Sequence, residues 1–376
     1  MRIGVVVNPV HRAGEEALTR LVAEAQAGAG AGEPAGWGEP LVARTTIAAP
    51  GGAQARELIA AGATRIVTIG GDGTVRHVAA GIAGVAGFTG IAGVAGFPGA
   101  DGVGSGHDED PGAAPAPVPL AVVPTGTANL LARNLGIRPG RRGRDAAIAA
   151  ALHSARLRVL DLGLAHLVVH SPAGPTQVRD AFLVVAGIGH DAAVVAATDV
   201  EGKRRASWAA YFRSGAAHLL QAPLPMRVRF DGAAPEDLRT WTVLCGNLGR
   251  IPGRIPVFPD ARGDDGLLEV LTVPRAGVRS WSAAGVAGLA GAVGWRLGTS
   301  ALRYRRAATV EVVPAVAMSV QLDGDVVHGV TRMRVSLRQG ALRVVVPDAA
   351  ARGGRTPAAE PRPRPRPVPP PRRPTT

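Results

Sequence analysis

The chain has 376 residues, 46% of them hydrophobic, which is enough for two domains of ordinary size with a substantial core. Its formal net charge of +13 favours polyanionic partners such as nucleotides or an anionic membrane surface. Aromatic residues make up only 3% of the chain and no basic stretch is interleaved with them, which argues against a nucleic-acid-binding protein.

The N-terminal part alternates short apolar strands with helical patterns. The predicted strands are Ile3–Val7, Leu41–Thr45, Arg65–Ile69 and Leu120–Val123, and the predicted helices are Glu15–Ala27, Ala53–Ala61 and Gly140–Leu157. This alternation indicates a doubly wound parallel sheet in a domain that covers residues 1–150. The apolar run at the N-terminus is too short for a signal peptide, which predicts a cytoplasmic protein.

A low-complexity segment rich in Gly, Ala and Pro interrupts this domain over about residues 81–119. The unit Ile82–Gly90 recurs almost verbatim as Ile91–Gly99, and an acidic, Pro-rich stretch follows. Residues 78–100 carry no formal charge and are long enough to span a bilayer. Their glycines make a poor membrane helix, so we expect a loop that grew by repeat expansion.

Short valine-rich strand patterns dominate the rest of the chain and predict an antiparallel second domain over residues 157–348, a sandwich or barrel. The predicted strands are Leu157–Leu162, His166–His170, Ala181–Ala186, Met226–Phe230, Thr240–Cys245, Leu267–Val273, Thr309–Val313, Met318–Leu322 and Thr331–Leu337. Two helical stretches, Ala206–Gln221 and Arg279–Leu297, interrupt them. The last strand of this second domain is a candidate to return to the first domain. Residues 352–376 alternate Arg with Pro and predict a disordered tail.

Two glycine-rich turns, Gly70–Thr74 and Pro124–Asn129, each follow a predicted buried strand. Ligands of open α/β sheets bind beyond the carboxyl ends of the strands. Glycine lets backbone N–H groups approach phosphate oxygens, and the N-terminus of a following helix favours negative charge. Asp72 would repel phosphate unless a Mg²⁺ ion bridges them or the carboxylate accepts a proton. These turns therefore indicate phosphoryl transfer from a nucleotide.

From Asn8 to about Pro347, the chain resembles the bacterial diacylglycerol kinase and sphingosine kinase catalytic family of lipid kinases. The motifs that carry the resemblance, in the order of the family, are Asn8-Pro9, Gly70–Thr74, Gly126–Arg133, Ala186–Ala192, Gly202-Lys203, Cys245–Asn247, Pro259–Val270 and Leu322–Asp325. The first glycine turn alone also occurs in NAD kinases and phosphofructokinases. The resemblance implies an NAD-kinase-like α/β domain followed by an antiparallel β-sandwich domain, a fold of class α/β plus all-β.

The resemblance also implies transfer of the ATP γ-phosphate to a lipid hydroxyl with Mg²⁺ as cofactor. The residues that would hold the nucleotide are Asn8, Pro9, Val10, His11, Arg12, Thr45, Thr46, Gly70, Gly71, Asp72, Gly73, Thr74, Val75, Arg76, His77, Gly126, Thr127 and Asn129. Asp72 would order the Mg²⁺ beside the γ-phosphate. A second, structural Mg²⁺ would be bound by the side chain of Asp265 and the main-chain carbonyls of Arg262 and Leu267.

Three positions depart from the family pattern. Leu130 stands where the bacterial diacylglycerol kinases usually have Asp, and His190 stands where the family usually has Phe. The proposed catalytic base is Asp325 instead of Glu, which shortens its reach by about 1.5 Å, the length of one C–C bond. We favour Asp325 as the base, with Asp72 as the alternative.

The implied partners are ATP, a neutral lipid acceptor and an anionic membrane surface, with no nucleic acid. Diacylglycerol is the first candidate acceptor, ahead of a sphingoid- or ceramide-type lipid. The protein would associate peripherally with the inner face of the cell membrane, and its oligomeric state is open, with a homodimer among the options. Two alternative functions remain: an NAD kinase, and a family member that binds lipid or nucleotide without catalysis, which Leu130 and Asp325 favour.

Overall fold

The computed structural model of the chain describes residues 2–10, 12–30, 37–85, 118–172, 174–190, 192, 222–250, 257–274 and 302–347. The first part contains β1 (Ile3–Val7), α1 (Arg12–Gly30), β2 (Leu41–Arg44), α2 (Gly52–Ala60), β3 (Arg65–Gly70), α3 (Asp72–Ile82), β4 (Leu120–Pro124), α4 (Leu130–Asn134) and α5 (Arg141–His153). The second part contains β5 (Leu157–Ser171), β6 (Gly174–Phe182), β7 (Val185–Gly189), β8 (Leu224–Phe230), β9 (Glu236–Thr240), β10 (Thr242–Gly246), β11 (Leu268–Val273), β12 (Arg303–Ala307), β13 (Thr309–Pro314), β14 (Met318–Leu322) and β15 (Asp325–Val345).

The first part is built on a parallel sheet with strand order β4-β3-β1-β2. All residues of β1 and β4 are buried, as expected for strands covered on both faces by helices. Helix α2 packs against α3, and α1 packs against α5. The predicted doubly wound α/β fold is therefore confirmed. Apolar strands such as Ile3–Val7 are buried in the interior of this sheet, as their composition requires.

The second part is an antiparallel β-sandwich with its own core. One layer has the order β12-β11-β10-β7-β14-β15, and the other has the order β9-β8-β13-β15-β5-β6. Buried side chains from the first layer, such as Ile188 and Val243, lie in the same core as Leu167 and Met333 from the second. The predicted all-β half of the fold is confirmed as a sandwich.

Strand β15 belongs to both parts of the molecule. It is 21 residues long, begins against β14, and pairs with β5 along most of its length. Near its end, Val344 pairs in parallel with Leu120 of β4. The strands therefore form one hydrogen-bonded sheet of 15 strands that runs from the sandwich into the parallel sheet.

The structure corrects several predicted element bounds. Strand β5 is one continuous strand where two were predicted, and β15 extends far beyond Thr331–Leu337. The helix predicted to reach Leu157 ends at His153, where the chain enters β5. Strands β9 and β12 were not predicted, and β6 was predicted only at its apolar end, because most of their side chains are polar and exposed.

Some predicted segments lie outside the described residues. They are the helical stretches Ala206–Gln221 and Arg279–Leu297, most of the low-complexity segment and the Arg/Pro tail. Among the helices that the structure does describe, none combines the length and the apolar character that a membrane span requires.

Asp161 of β5 connects several loops of the sandwich domain. Its side chain is buried, with Oδ2 accepting the N–H of Gly266 and Oδ1 accepting the N–H of Gly340, both at 2.8 Å. Its backbone N–H donates to Gly263 O, and its carbonyl accepts a bond from the amide of Asn247. One carboxylate therefore satisfies an N–H group of the loop before β11 and an N–H group at the irregular part of β15.

We expect Asp161→Asn to lower the free energy of unfolding by about 2–3 kcal/mol. The amide of Asn accepts at only one oxygen, so its NH2 group would face a backbone N–H group that is left without an acceptor. Urea denaturation measures the change. Asp145→Asn is the matched control, since Asp145 pairs with Arg20 at 3.0 Å at the surface and its loss costs less than about 1 kcal/mol. Equal losses in the two variants would contradict the role given to Asp161.

Candidate active site

The two glycine-rich turns lie in direct contact at the carboxyl ends of β3 and β4. Thr125 N donates to Gly70 O at 3.0 Å, which aligns the turns. A Cβ on Gly126 would lie 2.7 Å from the Cα of Gly71, so a side chain at this position would push the turns apart. The juxtaposition of the turns follows from the parallel pairing of β3 with β4.

Asn129 holds the second turn in shape. Its Oδ1 accepts the N–H of Gly126 at 3.0 Å, and its Nδ2 donates to the Gly126 carbonyl at 2.6 Å. Asn129 adopts the left-handed conformation, with φ of 48°, which Asn tolerates better than most residues. The side chain thus fixes the loop that precedes α4.

Asp72, the first residue of α3, links the two turns. Its Oδ1 accepts the backbone N–H of Leu130, the first residue of α4, at 2.5 Å. The side chain of Leu130 is buried in the core of the α/β domain. Leu130 therefore supplies a backbone N–H group to Asp72. The resemblance to the diacylglycerol kinases would place a carboxylate at this position.

Burial, together with the nearby carboxyls of Asp323 and Asp325, raises the pKa of Asp72 to about 7. The N–H groups of Leu130 and Asn129 oppose this shift by stabilising the ionised form. Near neutral pH, a bound cation would favour the charged form of Asp72.

A tight hairpin turn between β14 and β15 brings the sandwich domain to the same place. Asp323 and Gly324 have φ values of 51° and 95°, as in the two-residue turns that favour Asp-Gly. The buried carboxylate of Asp323 accepts the N–H groups of three consecutive residues, Leu183 at 2.6 Å and Val184 and Val185 at 2.9 Å. Burial raises the pKa of Asp323, which Arg76 and these N–H groups oppose.

The hairpin places Asp325 over the first glycine turn. A Cβ on Gly73 would lie 2.9 Å from Asp325 Oδ2, so the absence of a side chain at Gly73 makes room for the carboxylate. The side chain of Asp325 is 44% exposed, and Arg76 Nη2 donates to its Oδ2 at 2.9 Å. The two predicted catalytic residues, Asp72 and Asp325, therefore lie at the same turn.

Several predicted nucleotide-binding residues surround this turn. Asn8 follows β1 and donates to Thr74 Oγ1 at 3.2 Å, while its Oδ1 accepts the N–H of Val10. Arg12 is almost fully exposed and pairs with Glu16. The other described members are Pro9, Thr46 and Thr127, which are exposed, Gly70, Val75 and Thr45, which are buried, and Gly71, which is half-buried. His11 lies outside the described residues.

Arg76 and His77 point away from solvent. The guanidinium of Arg76 is completely buried and contacts the sandwich domain. His77 Nδ1 lies 2.6 Å from Gly73 O, and burial, with a smaller contribution from Arg76, lowers the pKa of His77 to about 4. Its imidazole is therefore neutral at physiological pH.

The loop predicted to bind a second Mg²⁺ is held by two arginines. Arg306 forms a charged hydrogen bond with Asp265 Oδ2, and Arg158 donates to the carbonyl of Arg262 at 2.8 Å. Leu267 N donates to Asp265 Oδ1 at 3.1 Å. In the described part of the chain, no three His, Cys, Asp or Glu side chains converge on a metal site. The second Mg²⁺ stays a prediction, and it would have to displace Arg306.

Two residues of the site were missed by sequence reasoning. Asp323 lies in the quoted Leu322–Asp325 motif, but an Asp-Gly pair between strands indicates only a hairpin. Asp180 of β6 is buried 3.6 Å from Arg76 Nε, and no local pattern marks it. Its position becomes evident only once α3 packs against β6.

We expect the free energy of unfolding of Asp72→Asn, relative to that of wild type, to increase between pH 5 and 8. The native state keeps a proton on Asp72 up to about pH 7, whereas the unfolded chain releases it near pH 4. Wild-type stability therefore falls as the pH rises through this range, and Asn removes that loss. Melting temperatures across the range test this, and a constant difference would contradict the raised pKa.

Removal of the guanidinium from Asp265 should uncover any cation site in this loop. We expect Mg²⁺ at ten times its dissociation constant to raise the melting temperature of Arg306→Gln by about 2 °C, with a smaller effect in wild type. Arg305→Gln is the matched control, because Arg305 pairs with Glu236 at 2.6 Å instead. Equal responses to Mg²⁺ in all three proteins would exclude a cation site at Asp265.

Two family models match the chain, one in each part. The diacylglycerol kinase catalytic domain matches residues 2–165, and the YegS C-terminal NAD kinase beta sandwich-like domain matches residues 184–346. Together they span the α/β domain and the sandwich, including both glycine turns and the hairpin that carries Asp325.

Individual relatives give the same result. A protein of Pseudomonas aeruginosa (strain UCBPP-PA14) named "Probable lipid kinase YegS-like" is 30% identical over 295 residues, which cover 77% of this chain and 79% of the relative. A protein of the same name from Pseudomonas fluorescens is 28% identical over 338 residues, covering 89% and 93%. A diacylglycerol kinase structure from Bacillus anthracis shares the fold, with a TM-score of 0.57 at 19% identity, covering 93% of this chain and 98% of that one. The chain therefore belongs to the YegS-like family of lipid kinases, whose catalytic domain is that of the diacylglycerol kinases.

Proposed function

We propose that the protein is an ATP-dependent lipid kinase that transfers the γ-phosphate to a lipid hydroxyl, with diacylglycerol as the first acceptor to test. The observation that carries this proposal is the position of Asp325 over Gly73, beside the paired glycine turns. A partly exposed carboxylate there could contact a hydroxyl aligned with a phosphate bound at the turns. Diacylglycerol comes first because the matched catalytic domain is that of the diacylglycerol kinases.

The turns supply what a nucleotide phosphate requires. Unpaired N–H groups at the N-terminus of α3 and the positive end of its dipole favour an anion at this edge of the sheet. Mg²⁺ in kinases is usually bound by one or two carboxylates together with the phosphates, and Asp72 fits this requirement. When bound, Mg²⁺ would offset the charge on the phosphates.

Asp325 would act as the base for the lipid hydroxyl. The hydroxyl oxygen attacks the γ-phosphorus, the bond from that phosphorus to the β–γ bridging oxygen breaks, and ADP leaves with the electron pair. The hydroxyl proton passes to the carboxylate of Asp325, which releases it to water. Asp72 remains the alternative base, since its pKa of about 7 suits proton transfer near neutral pH.

The other functions are less well supported. An NAD kinase would share the first glycine turn, but the catalytic-domain model that matches residues 2–165 is that of the diacylglycerol kinases. A family member without catalysis would bind ATP or lipid with no turnover.

The net charge of +13 supports peripheral binding to the anionic inner face of the cell membrane, which would bring the enzyme to its lipid.

The test is ADP release by the purified protein with ATP and Mg²⁺, against vesicles containing diacylglycerol, sphingosine or ceramide, and against NAD⁺. We expect turnover that depends on lipid and Mg²⁺, lowered about 100-fold or more in Asp325→Asn through loss of the base. Asp72→Asn should raise the Mg²⁺ concentration required for activity.

Asp145→Asn, at the surface of α5, is the matched control and should leave turnover unchanged. Turnover with NAD⁺ instead of lipid would contradict the proposal. ATP binding without turnover on any acceptor would identify the protein as a binding member of its family.

A further inference from the structure

The side chain of Arg76 lies wholly inside the protein, where it contacts three groups of the sandwich domain. Its Nη1 donates to Leu322 O at 2.6 Å, and its Nη2 donates to Asp325 Oδ2 at 2.9 Å. Its Nε lies 3.6 Å from Asp180 Oδ1. The guanidinium has no exposed surface, so it cannot reach a phosphate at the glycine turns without leaving these partners.

Asp180 is the buried counter-ion of this guanidinium. Its side chain is also completely buried, and its Oδ1 accepts the N–H of Ala181 at 2.6 Å. Burial raises the pKa of Asp180 to about 6, which the charge of Arg76 opposes. A buried charge is tolerated only when it is paired, so Arg76 and Asp180 depend on each other for their ionised forms.

The contacts define the orientation of the guanidinium. Leu322 and Asp325 are opposite each other across the two-residue turn of the β14–β15 hairpin. Arg76 therefore contacts both ends of this turn, from a helix that begins at the first glycine turn. A planar guanidinium can make these contacts at fixed angles, whereas the single ammonium of a lysine cannot.

We propose that Arg76, held by Asp180, is a positioning residue that fixes the carboxylate of Asp325 over Gly73. This role differs from the nucleotide contact expected for Arg76 from the sequence, and it rests on the proposed kinase function. Arg76 lies on α3 of the α/β domain, and Asp180 and Asp325 lie on the sandwich. The base is thereby aligned with the nucleotide turn by an ion pair that crosses between the two domains.

The first experiment is a double-mutant cycle on lipid-stimulated ADP release, with Arg76→Gln, Asp325→Asn and the double variant. We expect Arg76→Gln to lower kcat about 10–100-fold through misplacement of the base, with the KM for ATP changed less than about twofold. Because Arg76 acts through Asp325, the double variant should be no slower than Asp325→Asn alone.

Arg65→Gln is the control for loss of a half-buried, hydrogen-bonded arginine away from the site. Arg65 begins β3 at the end away from the glycine turn and donates to carbonyls of Ala151 and Ser154. Its loss should lower the melting temperature and leave kcat unchanged. A raised KM for ATP with unchanged kcat in Arg76→Gln would overturn the proposal, as would kcat losses that multiply in the double variant.

Asp180→Asn keeps the test valid if Arg76→Gln does not fold. This nearly isosteric change should lower kcat at unchanged KM for ATP. The variant Arg76→Lys should be more active than Arg76→Gln but less active than wild type. Unchanged kcat in Asp180→Asn would overturn the role of Asp180.

Urea denaturation of the four proteins of the double-mutant cycle separates this inference from the kinase function. These are wild type, Arg76→Gln, Asp325→Asn and the double variant. If wild type shows no lipid-dependent turnover, the proposed function fails, yet coupling between Arg76 and Asp325 in unfolding would still support the ion pair. Additive effects on stability would overturn the inference whatever the activity.

Discussion

The shared strand β15 is the constraint on which the active site depends. It begins at Asp325, pairs with both layers of the sandwich, and ends beside β4 of the parallel sheet. Since β4 also leads into the second glycine turn, the strand that begins at Asp325 and the strand that leads into this turn are hydrogen-bonded neighbours. Backbone pairing therefore joins the sandwich to the parallel sheet, and within that frame Arg76 holds the Asp325 carboxylate by a hydrogen bond.

The charge at this junction is unevenly distributed. One guanidinium, that of Arg76, is surrounded by the carboxyls of Asp180, Asp323 and Asp325. The nearby Asp72 is raised in pKa because burial and two of these carboxyls oppose its ionisation. Among the described residues, the site holds more acid groups than Arg76 can balance. That imbalance suits the proposed kinase function, because a divalent metal bound with the nucleotide would supply the missing positive charge.

Sequence reasoning succeeded where the physical signal was local. Strand Ile3–Val7 is apolar throughout and was predicted at its observed bounds, and glycines on both sides of Asp72 marked the first turn. It failed where structure depends on distant contacts. Strand β12 is predominantly basic and exposed, so no apolar pattern reveals it, and it forms because β11 offers a pairing edge. Asp180 resembles any polar strand residue until α3 brings Arg76 to it.

The link between Asp72 and residue 130 uses a backbone N–H and not a side chain. Every amino acid except proline can supply that hydrogen, so the position can drift in sequence while the two turns stay connected. The side chain of Leu130 packs in the hydrophobic core of the α/β domain instead. The contact with Asp72 therefore constrains substitution at this position only by the exclusion of proline, and the core constrains it by packing volume.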